Sequence, residues 1–111
     1  MRTFEVKNKC IQSTKGEFLL GAQETGSHAC YLIYGVLRPG EQGRVLKPGH
    51  GHEEMVVVVK GEVTLTGQCT GTVMQGQAVH LVGEASCFAE NRTNTEAVYV
   101  IAGGHSGKGH H

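Results

Sequence analysis

Short runs of β-branched and apolar residues, separated by glycine-containing turns, recur along almost the whole chain. No segment longer than about 10 residues keeps the period of an amphipathic helix. The runs recur roughly every 8 to 12 residues, a spacing typical of β-sandwiches and barrels. The pattern predicts strands at 17–22, 29–37, 43–46, 55–59, 62–66, 69–74, 78–82, 86–90 and 97–102.

Glycine supports the all-β prediction, because the chain has 17 glycines and only 2 prolines, and the glycines fall between the runs. Many short strands joined by tight turns need this distribution. The length of 111 residues is that of one domain. We therefore expect a single barrel over residues 1–102, followed by a flexible tail, rich in glycine and histidine, over 103–111.

Four consecutive valines at 56–59 are apolar on both faces of their strand. Such a strand is usually covered on both sides. One face would fill the barrel, and the other would meet a second sheet or a second copy of the chain. The valines therefore favour a homodimer.

Charge is balanced, with 10 basic and 10 acidic residues and no block of like charge, which argues against nucleic acid or an anionic membrane as a partner. The N-terminus lacks the apolar run of a signal peptide. No stretch approaches the roughly 20 apolar residues that span a bilayer. We expect a cytoplasmic protein whose cysteines, Cys10, Cys30, Cys69 and Cys87, stay reduced.

The densest set of possible metal ligands is the segment 50–54, which reads His-Gly-His-Glu-Glu. In an extended strand, alternate residues share a face, so His50, His52 and Glu54 would point inward together. Two imidazoles and a carboxylate could chelate a divalent ion such as Fe, Ni, Zn, Cu or Mn. The alternative is a polar loop, because Gly49 and Gly51 also favour a turn.

Two segments resemble the two sequence motifs of the cupin superfamily. Segment 39–62 is similar to the first motif, G-x5-H-x-H-x3-4-E-x6-G, with Glu54 and Gly61 at the motif spacing. Segment 76–91 is similar to the second, G-x5-P-x-G-x2-H-x3-N, which begins at Gly76 and ends at Asn91. The resemblance covers roughly residues 29 to 102. It implies a small single-domain cupin, a double-stranded β-helix of the jelly-roll type.

The first motif departs from the family pattern in its histidines. Only Glu53 separates His52 from Glu54, where the family has three or four residues. Counting back from the motif glycine instead would put the two family histidine positions at Pro48 and His50. On either count His50 and Glu54 remain in the implied site.

The second motif has Val82, Glu84 and Cys87 in place of its proline, second glycine and histidine. The usual set of three histidines and one glutamate is therefore incomplete. Cys87 could be a fourth ligand, since thiolates bind Zn²⁺, Fe²⁺ and Cu(I), or it could be a core thiol. His80 is expected to be structural or exposed rather than a ligand.

Three functions stay open on this evidence. A metal-binding cupin would hold a divalent ion through His50, His52, Glu54 and Cys87 and bind a small molecule in the barrel; any catalysis would resemble that of a dioxygenase or an isomerase. A binding module would take a small molecule without turnover. A degenerate barrel would hold no metal.

Overall fold

A computed structural model describes residues 1–105 as a barrel of two antiparallel sheets. Its strands, in chain order, are β1 (Glu17–Leu20), β2 (Cys30–Leu37), β3 (Arg44–Leu46), β4 (His52–Lys60), β5 (Glu62–Gly67), β6 (Gly71–Met74), β7 (Ala78–Val82), β8 (Cys87–Glu90) and β9 (Ala97–His105). The five-stranded sheet has the order β1-β2-β9-β4-β7, and the four-stranded sheet has the order β3-β8-β5-β6. The chain thus passes between the two sheets repeatedly, as in a jelly roll.

All nine predicted strands are confirmed, and three of them are longer than predicted, β5 by one residue and β4 and β9 by more. Strand β4 begins at His52 rather than at residue 55, and β9 continues to His105 rather than ending at residue 102. The extension of β9 is held by pairing on both sides, to β2 and to β4. Residues 103–105 of the predicted tail therefore belong to the barrel, and residues 106–111 lie outside the described part of the chain.

Two short helices were not predicted, α1 (Val6–Gln12) and α2 (Ala22–Thr25). Both are too short to show a helical period in the sequence. Helix α1 packs against β1 and β2 and buries Cys10. Neither helix is long and apolar enough to cross a membrane.

The valine strand is covered unequally on its two faces. Val56 and Val58 point between the sheets and are buried, as predicted for the inner face. On the outer face Val57 is partly buried, and Val59 is 45% exposed in a single copy of the chain. The predicted homodimer therefore stays a prediction. The core between the sheets consists of Leu37, Leu46, Val56, Val58, Val63, Leu65, Val73, Leu81, Cys87, Ala89, Ala97, Tyr99 and Ile101.

Asn91 joins two loops at one end of the barrel, and its side chain is 1% exposed. Its amide nitrogen donates to the carbonyls of Leu37 (3.1 Å) and Thr95 (2.7 Å). Its amide oxygen accepts from the backbone nitrogen (2.9 Å) and hydroxyl (2.7 Å) of Thr93. The backbone of Asn91 also pairs with Gly40 and Glu41. This residue therefore fixes the β2–β3 loop against the β8–β9 loop.

Candidate functional site at the mouth of the barrel

The inner face of β4 carries two of the predicted metal ligands. His52 and Glu54 have the same strand parity as the buried Val56 and Val58. Glu54 is 5% exposed, and His52 is partly buried at the open end of the barrel. The predicted alternation therefore holds from His52 onward.

His50 does not join them, because it lies in the turn before β4 and is exposed. The flanking residues Gly49 and Gly51 have φ angles of 97° and 76°, in the left-handed region. Such angles interrupt the extended alternation that would have carried His50 inward. His50 therefore lies in a polar turn, the alternative to an inward-facing ligand that the sequence had left undecided.

Cys87 lies on β8, in the opposite sheet, and forms a disulfide with Cys69. The expectation that all four cysteines stay reduced is wrong for this pair, whereas Cys10 and Cys30 are free. Residue 69 follows β5, and β5 pairs with β8 so that Gly67 lies opposite Cys87. This pairing brings the two sulfurs together, and a disulfide sulfur offers no thiolate to a metal ion.

Two residues that the sequence did not single out join His52 and Glu54. His105 pairs with His52 across β9 and β4, and their ring centroids are 4.9 Å apart. Tyr31, from β2, packs edge-on against His52 at 5.8 Å and donates from its hydroxyl to Glu54 Oε2 at 2.5 Å. We call Tyr31, His52, Glu54 and His105 the mouth cluster.

Tyr31 reaches Glu54 because Gly103 lies between them. The register places Gly103 opposite Tyr31 on β2 and opposite Glu54 on β4. A Cβ atom at position 103 would come within 2.2 Å of the Tyr31 ring, so no other residue fits beneath the phenol. Burial, and next the hydrogen bond to Glu54, raise the pKa of Tyr31, which keeps its hydroxyl protonated as a donor.

The hydrogen bonding of His105 determines which of its ring nitrogens is free. Its Nε2 contacts the carbonyl oxygen of His28, which can only accept a hydrogen bond. Nε2 therefore carries the proton, and in the neutral ring Nδ1 keeps its lone pair. A backbone carbonyl commonly orients metal-binding imidazoles in this way.

His80 lies outside the mouth cluster, as expected. It is exposed on the outer face of β7, and its Nε2 is 2.8 Å from Glu53 Oε1. Glu53 has the opposite strand parity to Glu54. His80 is therefore a surface residue paired with a surface carboxylate.

A second polar cluster occupies the other end of the same inner layer. Tyr99 lies over Gly35, as Tyr31 lies over Gly103, and donates to Glu17. Arg44 crosses from the opposite sheet and donates to the Tyr99 hydroxyl at 2.9 Å and to Glu41 at 2.7 Å. Burial, and then the neighbouring Glu17 carboxylate, raise the pKa of Tyr99.

Glu41 is held ionised by this cluster. Burial favours the neutral carboxyl, but hydrogen bonds from the Arg38 backbone and the Arg44 guanidinium outweigh it, so that the pKa of Glu41 lies below its ordinary value. Every side chain of this cluster has a hydrogen-bond partner: Arg44 bonds to Tyr99 and Glu41, and Tyr99 bonds to Glu17. We interpret this end of the barrel as structural.

Comparison with solved structures identifies the architecture. A conserved protein from Klebsiella pneumoniae with a double-stranded β-helix domain superposes with a TM-score of 0.73 at 14% identity, over 98% of this chain and 94% of that one. The Cupin_2 domain of an XRE family transcriptional regulator from Enterobacter cloacae gives 0.67 at 18% identity, over 83% and 99%. The chain has the cupin fold.

An oxalate oxidase superposes on this cupin barrel with a TM-score of 0.69 at 18% identity, over 85% of this chain and 53% of that one. Identities this low show a shared fold and do not extend to a shared activity. The sequence itself matches no protein-family model and no curated protein sequence.

The cupin barrel does not assemble the predicted set of His50, His52, Glu54 and Cys87. Among residues 1–105, no group of three or more His, Cys, Asp or Glu side chains is placed to hold a metal ion. Only His52 and Glu54 of the predicted set lie together, and Glu54 is bonded to Tyr31. The arrangement nevertheless offers two adjacent imidazoles, from His52 and His105, beside a buried carboxylate.

Proposed function

We propose that this cupin barrel binds a divalent transition-metal ion at its mouth, with His52 and His105 as the first ligands and Glu54 as the third. The observation that carries the proposal is the pairing of the two imidazoles, whose centroids are 4.9 Å apart across β4 and β9. Two imidazoles and a carboxylate suit Fe, Ni, Zn, Cu and Mn alike. The donor chemistry therefore fits a metal ion, although no three donors are already arranged around one.

The surrounding residues support this role. The contact with His28 leaves Nδ1 of His105 available, and His52 makes no side-chain hydrogen bond within residues 1–105. Tyr31 donates to Glu54 and keeps that carboxylate at the inner face of β4. A bound ion would polarise a coordinated oxygen of a small ligand as a Lewis acid. Any dioxygenase- or isomerase-like catalysis would depend on that ion.

Metal titration of the full-length chain tests the proposal. His110 and His111 are first replaced by alanine, so that they do not contribute ligands. We expect about one equivalent of Zn²⁺ or Ni²⁺ to bind and to raise the melting temperature, because the ion binds the folded state. His52→Ala or His105→Ala should weaken metal binding at least about tenfold, because even the loss of a residue that only hydrogen-bonds to a metal ligand commonly lowers metal affinity by that factor.

His80→Ala is the matched control, because His80 is an exposed histidine on the outer face of the same sheet. It should bind the ion as tightly as the parent chain. Equal binding by all three variants, or no binding by the parent, would refute the mouth site.

A second candidate is a barrel that binds a small molecule without metal. It is favoured by the disulfide at Cys87 and by the hydrogen bond that already satisfies Glu54. A parent chain that binds no ion but gains thermal stability with small organic acids would support this function over the first.

We also propose that the chain forms a homodimer through the outer face of the five-stranded sheet. Met55 and Val82 are 53% and 50% exposed on this face. Beside Met55, a groove of about 610 Å³ is lined by residues that include Leu32 and Ala102. A second copy of the chain has the same apolar face and would cover this one.

Met55→Glu should convert the dimer to a monomer, because association would bury an unpaired carboxylate. We expect the dimer dissociation constant, measured by sedimentation equilibrium, to rise at least about a hundredfold. Val45→Glu is the control: Val45 is 55% exposed on the other sheet and should leave association unchanged. A parent chain that is monomeric at high concentration contradicts the proposal.

A further inference from the structure

A separate cavity of about 810 Å³ lies between α1 and the outer face of the five-stranded sheet. Its walls come from α1, the turn before β1, β2, the β2–β3 loop and the last residues of β4. It lies at the opposite end of β4 from the mouth cluster. We call it the helix cavity.

Basic side chains predominate around the helix cavity. Of the charged residues that line it, five are basic and two are acidic: Lys7, Lys15, Arg38, Arg44 and Lys60 against Glu41 and Glu96. Arg44 is bonded to Glu41 at 2.7 Å and also lies 3.9 Å from Glu17, which is not a lining residue, and Lys60 is 3.7 Å from Glu96. Those two pairs neutralise both acids.

Three cations remain on the wall. Lys7, Lys15 and Arg38 form no ion pair within residues 1–105. They come from three different segments, α1, the turn before β1 and the start of the β2–β3 loop. The tertiary fold therefore brings an excess of positive charge to one cavity in a chain whose overall charge is balanced.

Apolar side chains and a tyrosine hydroxyl also line the cavity. Among the apolar residues that line it, Cys10 and Val98 are 1% and 6% exposed, Val36 is partly buried and Ile11 is 66% exposed. Tyr34 also lines the cavity, and its hydroxyl has no hydrogen-bond partner within residues 1–105. A ligand with an apolar body and an oxygen-bearing head could therefore contact both surfaces.

We infer that the helix cavity binds a small amphipathic carboxylate, with its head among Lys7, Lys15 and Arg38 and its apolar body against the apolar lining residues. The volume lies within the range of about 300–1,000 Å³ typical of small-molecule sites. Partly exposed ion pairs are individually weak, so burial of the apolar body would supply much of the affinity and the cations would select the charge.

Calorimetric titration with octanoate near neutral pH tests the inference. We expect saturable binding of one molecule per chain, weaker at high ionic strength because salt screens exposed charges. Octanol and octylamine, with the same number of carbon atoms and no carboxylate, should bind more weakly than octanoate. Amide NMR shifts should concentrate at Cys10, Val36 and Val98 rather than at His52 and His105, which distinguishes this site from the mouth.

Neutralising the three cations together, by Lys7→Gln, Lys15→Gln and Arg38→Gln, should weaken octanoate binding at least about tenfold. Lys9→Gln is the matched control, because Lys9 is on the same helix but does not line the cavity. A cooperative thermal transition confirms that the triple variant is folded; if it does not fold, Arg38→Gln alone replaces it. The inference fails if the parent does not bind octanoate, if octylamine binds equally well, or if the neutralised variant keeps full affinity.

Discussion

Asn91→Ala should lower the free energy of unfolding by about 3–5 kcal/mol, a large part of the roughly 5–15 kcal/mol that stabilises a domain of this size. The side chain makes four hydrogen bonds while 1% exposed. Alanine would remove all four and leave the carbonyl of the buried Leu37 without its amide donor. An unsatisfied buried acceptor is more costly than the loss of an average hydrogen bond.

Urea denaturation followed by circular dichroism measures this effect. Asn94→Ala is the matched control, because Asn94 lies in the same loop and is exposed. It should change the free energy of unfolding by less than about 0.5 kcal/mol. A loss below about 1 kcal/mol in Asn91→Ala would show that water replaces the four hydrogen bonds, and that the loops are not held by this side chain.

The stability of this loop junction bears on the helix cavity. Asn91 binds the carbonyl of Leu37 and pairs through its backbone with Gly40 and Glu41. The adjoining Arg38 is one of the three cations of the helix cavity. Asn91 is the last residue of the second cupin-like motif. Its hydrogen bonds indicate a role in folding rather than in ligand binding.

The strands could be predicted from the sequence because their determinants are local. Alternating apolar residues and glycine turns gave all nine strands, and strand parity placed Glu54, Val56 and Val58 on the inner face. His50 was misplaced because parity applies only to extended residues, and the left-handed angles at Gly49 and Gly51 are not part of the alternating pattern.

The mouth cluster could not be predicted because it depends on register between distant strands. His105 reaches His52 only through the pairing of β9 with β4, and Gly103 had been assigned to a flexible tail. One signal was present in the sequence: Tyr31 and Tyr99 each pair with a glycine on the facing strand, an arrangement in which a ring covers the residue without a side chain. These tyrosine–glycine pairs can be recognised only when the register of the strands is known.

The disulfide could not be predicted from the sequence either, because widely spaced cysteines do not reveal which of them are paired. Its presence is more usual in oxidising compartments than in the cytoplasm. The predicted cytoplasmic location therefore stays a prediction. The redox state of Cys69 and Cys87 in the cell would bear directly on it.

Reducing the Cys69–Cys87 bond should lower the free energy of unfolding by about 3 kcal/mol, the loop entropy expected for a sequence separation of 18. Urea denaturation with and without a phosphine reductant measures the loss. Cys69→Ala should match the reduced parent and no longer respond to reductant. Cys30→Ser, at an exposed free cysteine, should behave as the parent does. A parent chain unaffected by reductant would mean that the bond does not form in solution.

The same experiment decides what Cys87 can do as a ligand. Cys87 is 0% exposed on β8, and its sulfur is bonded to that of Cys69. If reduction increases the affinity for Zn²⁺, and Cys87→Ala removes that increase while Cys10→Ala does not, then the predicted thiolate ligand exists in the reduced protein. If reduction costs stability without changing the affinity, Cys87 is a structural residue, and the metal site is confined to His52, His105 and Glu54.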